Sequence, residues 1–207
     1  MSVATVILTA GLSQRMGYPK ALLKMQGESL INIIVERAIL AGSDNIIVVT
    51  ADSNEGFPFK KNDAVREMDN LLLEHKNKIR LIKGKSQGHP IDSLRYALAE
   101  ISPTQALCLW PIDYPFADLP LLKKLFSLVG KRDSHIVVPV AGGKRGHPVL
   151  FGKNLKNELL SPLADQGANR IVHRKPERVL EVISENTKIY LNLNTRDDIA
   201  AENITID

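Results

Sequence analysis

VATVILTA (3–10) and the loop that follows it, GLSQRMGYPKALL (11–23), decide the fold of this chain. The first segment is continuous and rich in β-branched residues, which predicts a strand buried on both faces of a parallel sheet. The second segment contains neither the GxxxxGKS/T phosphate loop nor the GxGxxG dinucleotide fingerprint. A buried strand that runs into a glycine-rich loop indicates an α/β protein with a ligand at the end of that strand.

The glycines and cations of this loop suit a triphosphate. Gly11, Ser13 and Gly17 permit close approach of the backbone and offer free N–H groups, while Arg15 and Lys20 add two positive charges. A backbone nest with two cations is a suitable triphosphate cradle. The alternative is an ordinary strand–helix turn whose basic side chains face solvent. We expect the cradle, because glycines and cations coincide directly after the first strand.

Strand-like and helix-like segments alternate along most of the chain. This alternation predicts an α/β three-layer sandwich with a mainly parallel, Rossmann-like sheet. The length of 207 residues suits a single domain over 1–207. The predicted strands cover 3–10, 45–51, 79–84, 105–113, 135–140, part of 142–152, 179–184 and 188–194. The predicted helices cover 29–42, 64–77, 93–101, 119–130, 154–163, 166–174 and 195–202.

Three of these helices carry boundary signals. Ser29 or Glu28 stands near the start of the first helix, and Gly42 stands at its end. Asp118 precedes an apolar helical segment and has the character of a helix cap. Thr195 precedes two acidic residues, which predicts an N-cap followed by a first turn that favours negative charge.

Composition and charge exclude several classes of protein. Hydrophobic residues make up 44% and charged residues 24%, so a globular core can form. The net charge is +4, but aromatic residues are only 5% and no RNA- or DNA-binding motif is present, so we expect no nucleic-acid partner. No apolar run is long enough to span a bilayer, so we expect no membrane partner. Cys108, the single cysteine, excludes an intramolecular disulfide framework and is consistent with a reducing cytoplasm.

Two segments place metal-binding side chains at predicted strand ends. Asp113 follows the apolar run LCLWPI, and a carboxylate at such a position is a natural Mg²⁺ ligand. The alternative is an aspartate in a turn. Asn192 and Asn194 lie two positions apart on the last predicted strand and would share one face. Either amide oxygen could complete a magnesium shell, and the alternative is an Asn/Thr turn.

Two glycine-containing turns add further polar side chains. KRGHPVLF (144–151) and LADQGANR (163–170) contribute Arg145, His147, Asp165 and Arg170. A histidine in a turn is more often a satisfied structural residue than a ligand. These turns alone predict no specific chemistry.

The chain resembles a known family at these segments. LTAGLSQRMGYPKALL (8–23) resembles the signature loop of the MobA-like NTP transferase family, and within it the molybdenum cofactor cytidylyltransferase branch. Its LTAG and PKALL elements are closer to the cytidylyl form than to the guanylyl form. Further segments agree in order, namely SLRYALA (93–99), DYPFADLPLLKKL (113–125), GKRGHPVLF (143–151), ADQGANR (164–170) and LNLNTRDDI (191–199).

The resemblance implies a fold of the nucleotide-diphospho-sugar transferase type and a magnesium-dependent reaction. CMP would pass from CTP, or a nucleotide from another NTP, to a phosphorylated small-molecule acceptor such as molybdopterin, and pyrophosphate would leave. Arg15 and Lys20 would hold the triphosphate, Asp113 the Mg²⁺ ion, and Asn194 would be a second metal ligand. A transient contact with a molybdoenzyme in the cytoplasm is also implied. The implied nucleotide- or cofactor-binding residues are Thr9, Ala10, Gly11, Ser13, Gly17, Ser93 and His147.

Three departures from the family pattern leave alternatives open. Asn194 stands where the family usually has aspartate, GHPIDSL (88–94) differs from the family's serine-rich loop, and Arg196 replaces a proline. The acceptor could instead be a sugar-phosphate or an alcohol-phosphate. A protein of another class, which binds a nucleotide or cofactor without turnover during molybdoenzyme maturation, is the remaining alternative.

Overall fold

The structure, a computed structural model, describes residues 2–9, 18–51, 70, 75, 77–84 and 89–206. Most of the helix predicted over 64–77 lies outside these residues. Five of the predicted site residues also lie outside them, namely Ala10, Gly11, Ser13, Arg15 and Gly17.

The centre of the fold is a mainly parallel sheet, as predicted. The strands are β1 (Val3–Leu8), β2 (Lys24–Met25), β3 (Glu28–Ser29), β4 (Ser43–Ala51), β5 (Ile79–Gly84), β6 (Ala106–Pro111), β7 (Ile136–Ala141), β8 (Lys144–Arg145), β9 (Val149–Phe151), β10 (Val179–Ile183) and β11 (Ile204–Thr205). The order of the central sheet is β5-β4-β1-β6-β9-β7-β10, and β8 pairs with β7 alongside this path. Strand β9 is antiparallel to both of its neighbours, whereas the other pairs in the path are parallel. Strands β11, β2 and β3 form a small separate antiparallel sheet.

Helices cover both faces of the central sheet and complete the three layers. The helices are α1 (Leu30–Ala41), α2 (Pro90–Ala99), α3 (Leu119–Val129), α4 (Lys156–Leu160), α5 (Asn169–Arg174) and α6 (Arg196–Ala201). Helices α1, α3 and α6 share one hydrophobic core with Val3 and Ile7 of β1. Helices α2, α4 and α5 share a second core with Ala4 and Val6. Strand β1 is therefore buried on both faces, as its continuous apolar run predicts.

The predicted helix boundaries are confirmed at three caps. The Ser29 side chain accepts a hydrogen bond from the Asn32 N–H, and α1 ends at Gly42, whose φ of 105° suits a residue without a Cβ. The Asp118 side chain accepts from the N–H of Leu121 at the start of α3. Thr195 and Asp198 form a capping box at α6, in which the Asp198 N–H donates to the Thr195 hydroxyl and the Thr195 N–H donates to the Asp198 carboxylate.

The strand predicted over 188–194 is wrong. Residues Thr187–Tyr190 form a short 3-10 helix, and the residues after it pair with no strand in the described part of the chain. The backbone groups here bond to loops instead, since the Ile189 carbonyl accepts from the His147 N–H and the Leu193 N–H donates to the Asp113 carbonyl. The apolar residues of this segment are nevertheless buried, as their alternation predicts: Ile189 is 1% exposed and Leu193 is fully buried.

Candidate active site

Three of the predicted site residues meet at the carboxyl ends of the parallel strands. The Lys20 Nζ atom donates to Asn194 Oδ1 at 2.7 Å and lies 3.3 Å from Asp113 Oδ2. These contacts join positions 93 and 174 residues apart in the sequence. The side chains of Lys20 and Asp113 are 15% and 22% exposed, so the pair is mostly buried but retains some contact with solvent. The fold therefore brings one cation, one carboxylate and one amide oxygen to a single point.

Lys20 is placed by a short 3-10 turn, Lys20–Leu22, that follows Pro19. The Leu22 N–H donates to the Pro19 carbonyl at 3.0 Å, which closes the turn. Ala21 is 8% exposed and Leu23 is fully buried, so these two apolar residues anchor the turn in the core. With the backbone anchored beside it, the Lys20 side chain extends toward the ends of the strands.

Asp113 lies in the turn that follows β6. The Ile112 N–H donates to the Leu8 carbonyl at 3.2 Å and so continues the pairing between β6 and β1 beyond the strands. The buried Trp110 donates its indole N–H to the Tyr114 carbonyl at 2.8 Å. The sequence placed Asp113 at the end of a buried strand, and the turn holds it there by hydrogen bonds on both of its sides.

Arg37 of α1 stabilises the loop after Asp113 by hydrogen bonds to two of its carbonyls. Its Nη1 atom donates to the carbonyls of Pro115 at 2.9 Å and Ala117 at 3.1 Å. Burial lowers the pKa of the Arg37 guanidinium, and the nearby negative charge of Asp118 acts in the opposite direction. Arg37 was not among the predicted site residues, because nothing in the sequence links a helix side chain to a loop 78 residues away.

Asn194 is held by the start of α6. The backbone N–H groups of Asn194 and Thr195 donate to Asp198 Oδ2 at 2.9 and 2.7 Å. The N–H of Asn194 is the largest cause of a lowered pKa at Asp198, followed by the bonds from Thr195, and the positive charge of Lys20 adds to it. The Leu193 N–H donates to the Asp113 carbonyl at 3.0 Å. This bond fixes the two oxygen-bearing residues relative to each other.

A second polar cluster lies directly beside the first. The rings of Tyr114 and His147 are 4.2 Å apart between centroids, and Asn192 Nδ2 donates to the Tyr114 hydroxyl at 2.9 Å. Burial lowers the pKa of His147 to about 4, against the opposing effect of the Asp113 charge, so the imidazole is neutral near pH 7. His147 Nδ1 and Asn192 Oδ1 are buried atoms without a hydrogen-bond partner among the described residues. The two amides that were expected on one face have different partners, since Asn192 donates to the Tyr114 hydroxyl and Asn194 accepts from Lys20.

Thr9 and Ser93 lie near the ends of β1 and β5. The Thr9 N–H and hydroxyl both donate to the Val49 carbonyl, each at 2.9 Å, which ties the end of β1 to β4. Ser93 is 3% exposed in the first turns of α2. A Cβ at Gly84 would approach Ser93 Oγ to 2.7 Å, so glycine at the end of β5 allows the helix to pack closely there.

Arg145 and Asp165 of the two glycine-containing turns make surface ion pairs, and Arg170 hydrogen-bonds to Gln166. Arg145 pairs with Glu181 at 2.8 Å, and Asp165 pairs with Arg95 at 2.6 Å. Neither contact involves Lys20, Asp113 or Asn194. The turn in 144–151 contacts the site through His147, whose ring lies beside that of Tyr114.

Residues 5–179 match the family model described as the MobA-like NTP transferase domain. The chain belongs to the MobA-like NTP transferase family. A Natranaerobius thermophilus member named "Probable molybdenum cofactor guanylyltransferase" is 26% identical over 207 residues, with 96% of this chain and 93% of that protein covered. The "Molybdenum cofactor cytidylyltransferase" of Escherichia coli K12 is 23% identical, with 95% of this chain and 93% of that protein covered. The expected family and a nucleotidyltransferase activity are thus confirmed.

Solved structures confirm the fold of this MobA-like chain. Rv0371c from Mycobacterium tuberculosis H37Rv superposes with a TM-score of 0.77 at 23% identity, covering 98% of this chain and 97% of that one. A further structure of Rv0371c is a complex with manganese, at a TM-score of 0.73 and 22% identity, with 98% of both chains covered. At such identities the superposition establishes the shared fold.

Within the described residues, no helix combines the length and apolar character needed to cross a membrane. Burial raises the pKa of the Cys108 thiol, as expected for a cysteine inside an apolar strand. Cys108 is accordingly a core residue rather than a nucleophile.

Proposed function

We propose that this chain is a single nucleotidyltransferase domain that transfers CMP from CTP to the phosphate of a molybdopterin-type acceptor and releases pyrophosphate. The observation that carries the proposal is the convergence of Lys20, Asp113 and Asn194 at the carboxyl ends of the strands. Ligands of open α/β sheets bind at that edge. The names of the two relatives support the choice of acceptor class.

The reaction needs no protein nucleophile. An oxygen of the acceptor phosphate forms a bond to the α-phosphorus, and the bond from that phosphorus to the bridging oxygen breaks, so that pyrophosphate leaves with the electron pair. Catalysis then rests on positioning and on charge stabilisation. In the proposal, Lys20 and Arg15 bind the triphosphate. His147 remains neutral at pH 7 and does not add charge to the site.

The donor set at Asp113 and Asn194 fits a hard divalent cation. One carboxylate oxygen and one amide oxygen already face a positive charge, the Lys20 ammonium, at 3.3 and 2.7 Å. Oxygen ligands are those that Mg²⁺ prefers, and Mg²⁺ commonly takes few protein carboxylates together with phosphate oxygens and water. When bound, the ion would neutralise charge on the triphosphate. We therefore assign Asp113 as the main metal ligand and Asn194 as the second.

CTP rather than GTP is the proposed nucleotide because LTAG (8–11) and PKALL (19–23) are closer to the cytidylyl form. The two named relatives differ on this point, since one is a guanylyl and one a cytidylyl enzyme. Titration calorimetry with each nucleotide and Mg²⁺ tests the choice, and we expect tighter binding of CTP. Tighter binding of GTP would refute the cytidylyl assignment and leave the proposed transfer intact.

The test of the whole proposal is acceptor-dependent release of pyrophosphate. Wild-type protein, molybdopterin and Mg²⁺ are assayed with CTP and with GTP, and Asp113→Asn serves as the matched inactive control. We expect release with CTP that requires both the acceptor and Asp113. The absence of release with either nucleotide, combined with measurable nucleotide binding, would favour the non-catalytic role in molybdoenzyme maturation. Transient contact with a molybdoenzyme and a cytoplasmic location belong to the same proposal.

A further inference from the structure

The Lys20 ammonium occupies the place that the proposed metal needs. Its Nζ atom bridges Asn194 Oδ1 at 2.7 Å and Asp113 Oδ2 at 3.3 Å, and these are the two oxygens assigned above as metal ligands. An ion bound to both oxygens would have to enter the space that the ammonium fills. Magnesium ligand distances are about 2.0–2.1 Å, shorter than the distances of the lysine contacts. Lys20 and a directly bound ion therefore exclude each other in this arrangement.

The charges of the site also disfavour simultaneous binding of the Lys20 ammonium and a metal ion. Asp113 supplies one negative charge to the shared position, and Asn194 is an amide without net charge. Lys20 already neutralises that single carboxylate at 3.3 Å. A divalent ion entering beside the ammonium would be repelled by it. The nearby Asp198 carboxylate already accepts hydrogen bonds from the N–H groups of Asn194 and Thr195, so it offsets this repulsion only from a distance. An aspartate at 194 would lessen this repulsion, so the asparagine strengthens the competition.

Lys20 is the movable member of the three. The Asp113 carbonyl accepts from the Leu193 N–H at 3.0 Å, and the Asn194 N–H donates to Asp198 at 2.9 Å. Both oxygen-bearing residues are therefore held through their backbone. The lysine charge instead sits at the end of a flexible four-carbon chain. A nearby triphosphate would attract this ammonium by charge-assisted hydrogen bonds.

We infer that Lys20 is a built-in competitor for the divalent metal, which withdraws from Asp113 and Asn194 when its ammonium moves to the triphosphate. This inference rests on the proposed function, because it takes the metal and the nucleotide from it. It predicts weak binding of the free metal ion and stronger binding in the presence of NTP. Since binding coupling is reciprocal, the metal then strengthens NTP binding by the same factor.

The test is Mn²⁺ binding without nucleotide, measured by the loss of the free-ion EPR signal. Wild-type protein is compared with Lys20→Met and Lys20→Gln, which remove the competing charge, and with Lys20→Arg, which keeps a cation. Lys123→Met, on an exposed position of α3, controls for the change in net charge. We expect about tenfold tighter Mn²⁺ binding in Lys20→Met and Lys20→Gln, and wild-type affinity in Lys20→Arg and Lys123→Met.

Equal or weaker Mn²⁺ binding in both neutral variants would overturn the inference, as would equal tightening in Lys123→Met. Two neutral variants guard against a folding defect in one of them, which thermal melts would reveal. Mn²⁺ binding by Asp113→Asn distinguishes a refuted competition from a wrong assignment of the metal site. If Asp113→Asn binds Mn²⁺ like the wild type, the metal site itself is misassigned. If Asp113→Asn loses binding and Lys20→Met gains none, only the competition is refuted.

Discussion

Two neighbouring polar clusters are built from the same two segments of the chain. The first joins Asp113 and Asn194 to Lys20, and it contains the partly exposed ion pair between Lys20 and Asp113. The second joins Tyr114 and Asn192 to His147, and it is uncharged at neutral pH with two buried atoms unpaired among the described residues. On each segment, residues one or two positions apart therefore belong to different clusters.

The contrast indicates that the fold separates reactive groups from groups that position them. The charged cluster carries the charges that a triphosphate and a metal ion would engage. The uncharged cluster joins the two segments through the bond from Asn192 to Tyr114, together with the bond from the Leu193 N–H to the Asp113 carbonyl. Changes in the first cluster should reduce turnover with little effect on folding, and changes in the second should act on stability first.

The largest effect is expected from Asp113→Asn. The substitution keeps the size of the side chain and the backbone carbonyl that accepts from Leu193, but it removes the one negative charge of the cluster. We expect a loss of at least about 100-fold in metal-dependent turnover, a typical effect of removing one electrostatic group from an active site. Turnover against Mg²⁺ concentration and a thermal melt test this. An unchanged magnesium curve would contradict the metal assignment.

Lys20→Ala should raise the free energy of triphosphate binding, or the activation free energy of turnover, by about 1.5–3 kcal/mol, because a charge-assisted contact to phosphate is lost. Arg15→Ala should have an effect in the same range if both cations belong to the cradle. Titration calorimetry with CTP and the kcat and KM values of each variant measure this. Wild-type binding and turnover in both variants would show that the cradle lies elsewhere.

His147 should make stability depend on pH between about 4 and 6.5. Its folded pKa of about 4 lies below its ordinary value, so the unfolded state binds more protons in this window. Stability from this residue is therefore complete above the unfolded pKa and is lost as pH falls toward 4, up to roughly 3 kcal/mol. Denaturant unfolding of wild type and His147→Asn from pH 4 to 7 tests it. Parallel pH curves for the two proteins would contradict the assignment.

Tyr114→Phe is expected to have the smallest effect, and mainly on stability. The change removes the hydroxyl that accepts from Asn192 and leaves a partly buried amide donor without this partner, which costs up to about 1–3 kcal/mol. Turnover should fall less than in Asp113→Asn. A double-mutant cycle with Asn192→Leu is the control, since the double variant removes both partners and should recover part of the lost stability. Strict additivity would show that the hydrogen bond contributes nothing.

Local sequence signals predicted much of the fold. The β-branched run at 3–10 predicted a central strand, and Ser29, Asp118 and Thr195 marked helix starts that the structure confirms. These features depend on neighbours within a few positions, so a sequence can report them. The strand predicted over 188–194 failed because a strand needs a partner, and in the described residues this segment bonds to loops instead.

The sequence alone was sufficient to predict the alternation of strands and helices, the buried faces, the helix caps and the position of Asp113 after a buried strand. The contact between Lys20 and Asn194, which are 174 positions apart, and the bond from Asn192 to Tyr114 are visible only in the folded structure. These features differ in how far apart in the sequence the contacting residues lie. Periodicity and capping arise from contacts between near neighbours, whereas a site at the edge of a sheet is assembled by strand order and loop paths that no local pattern encodes.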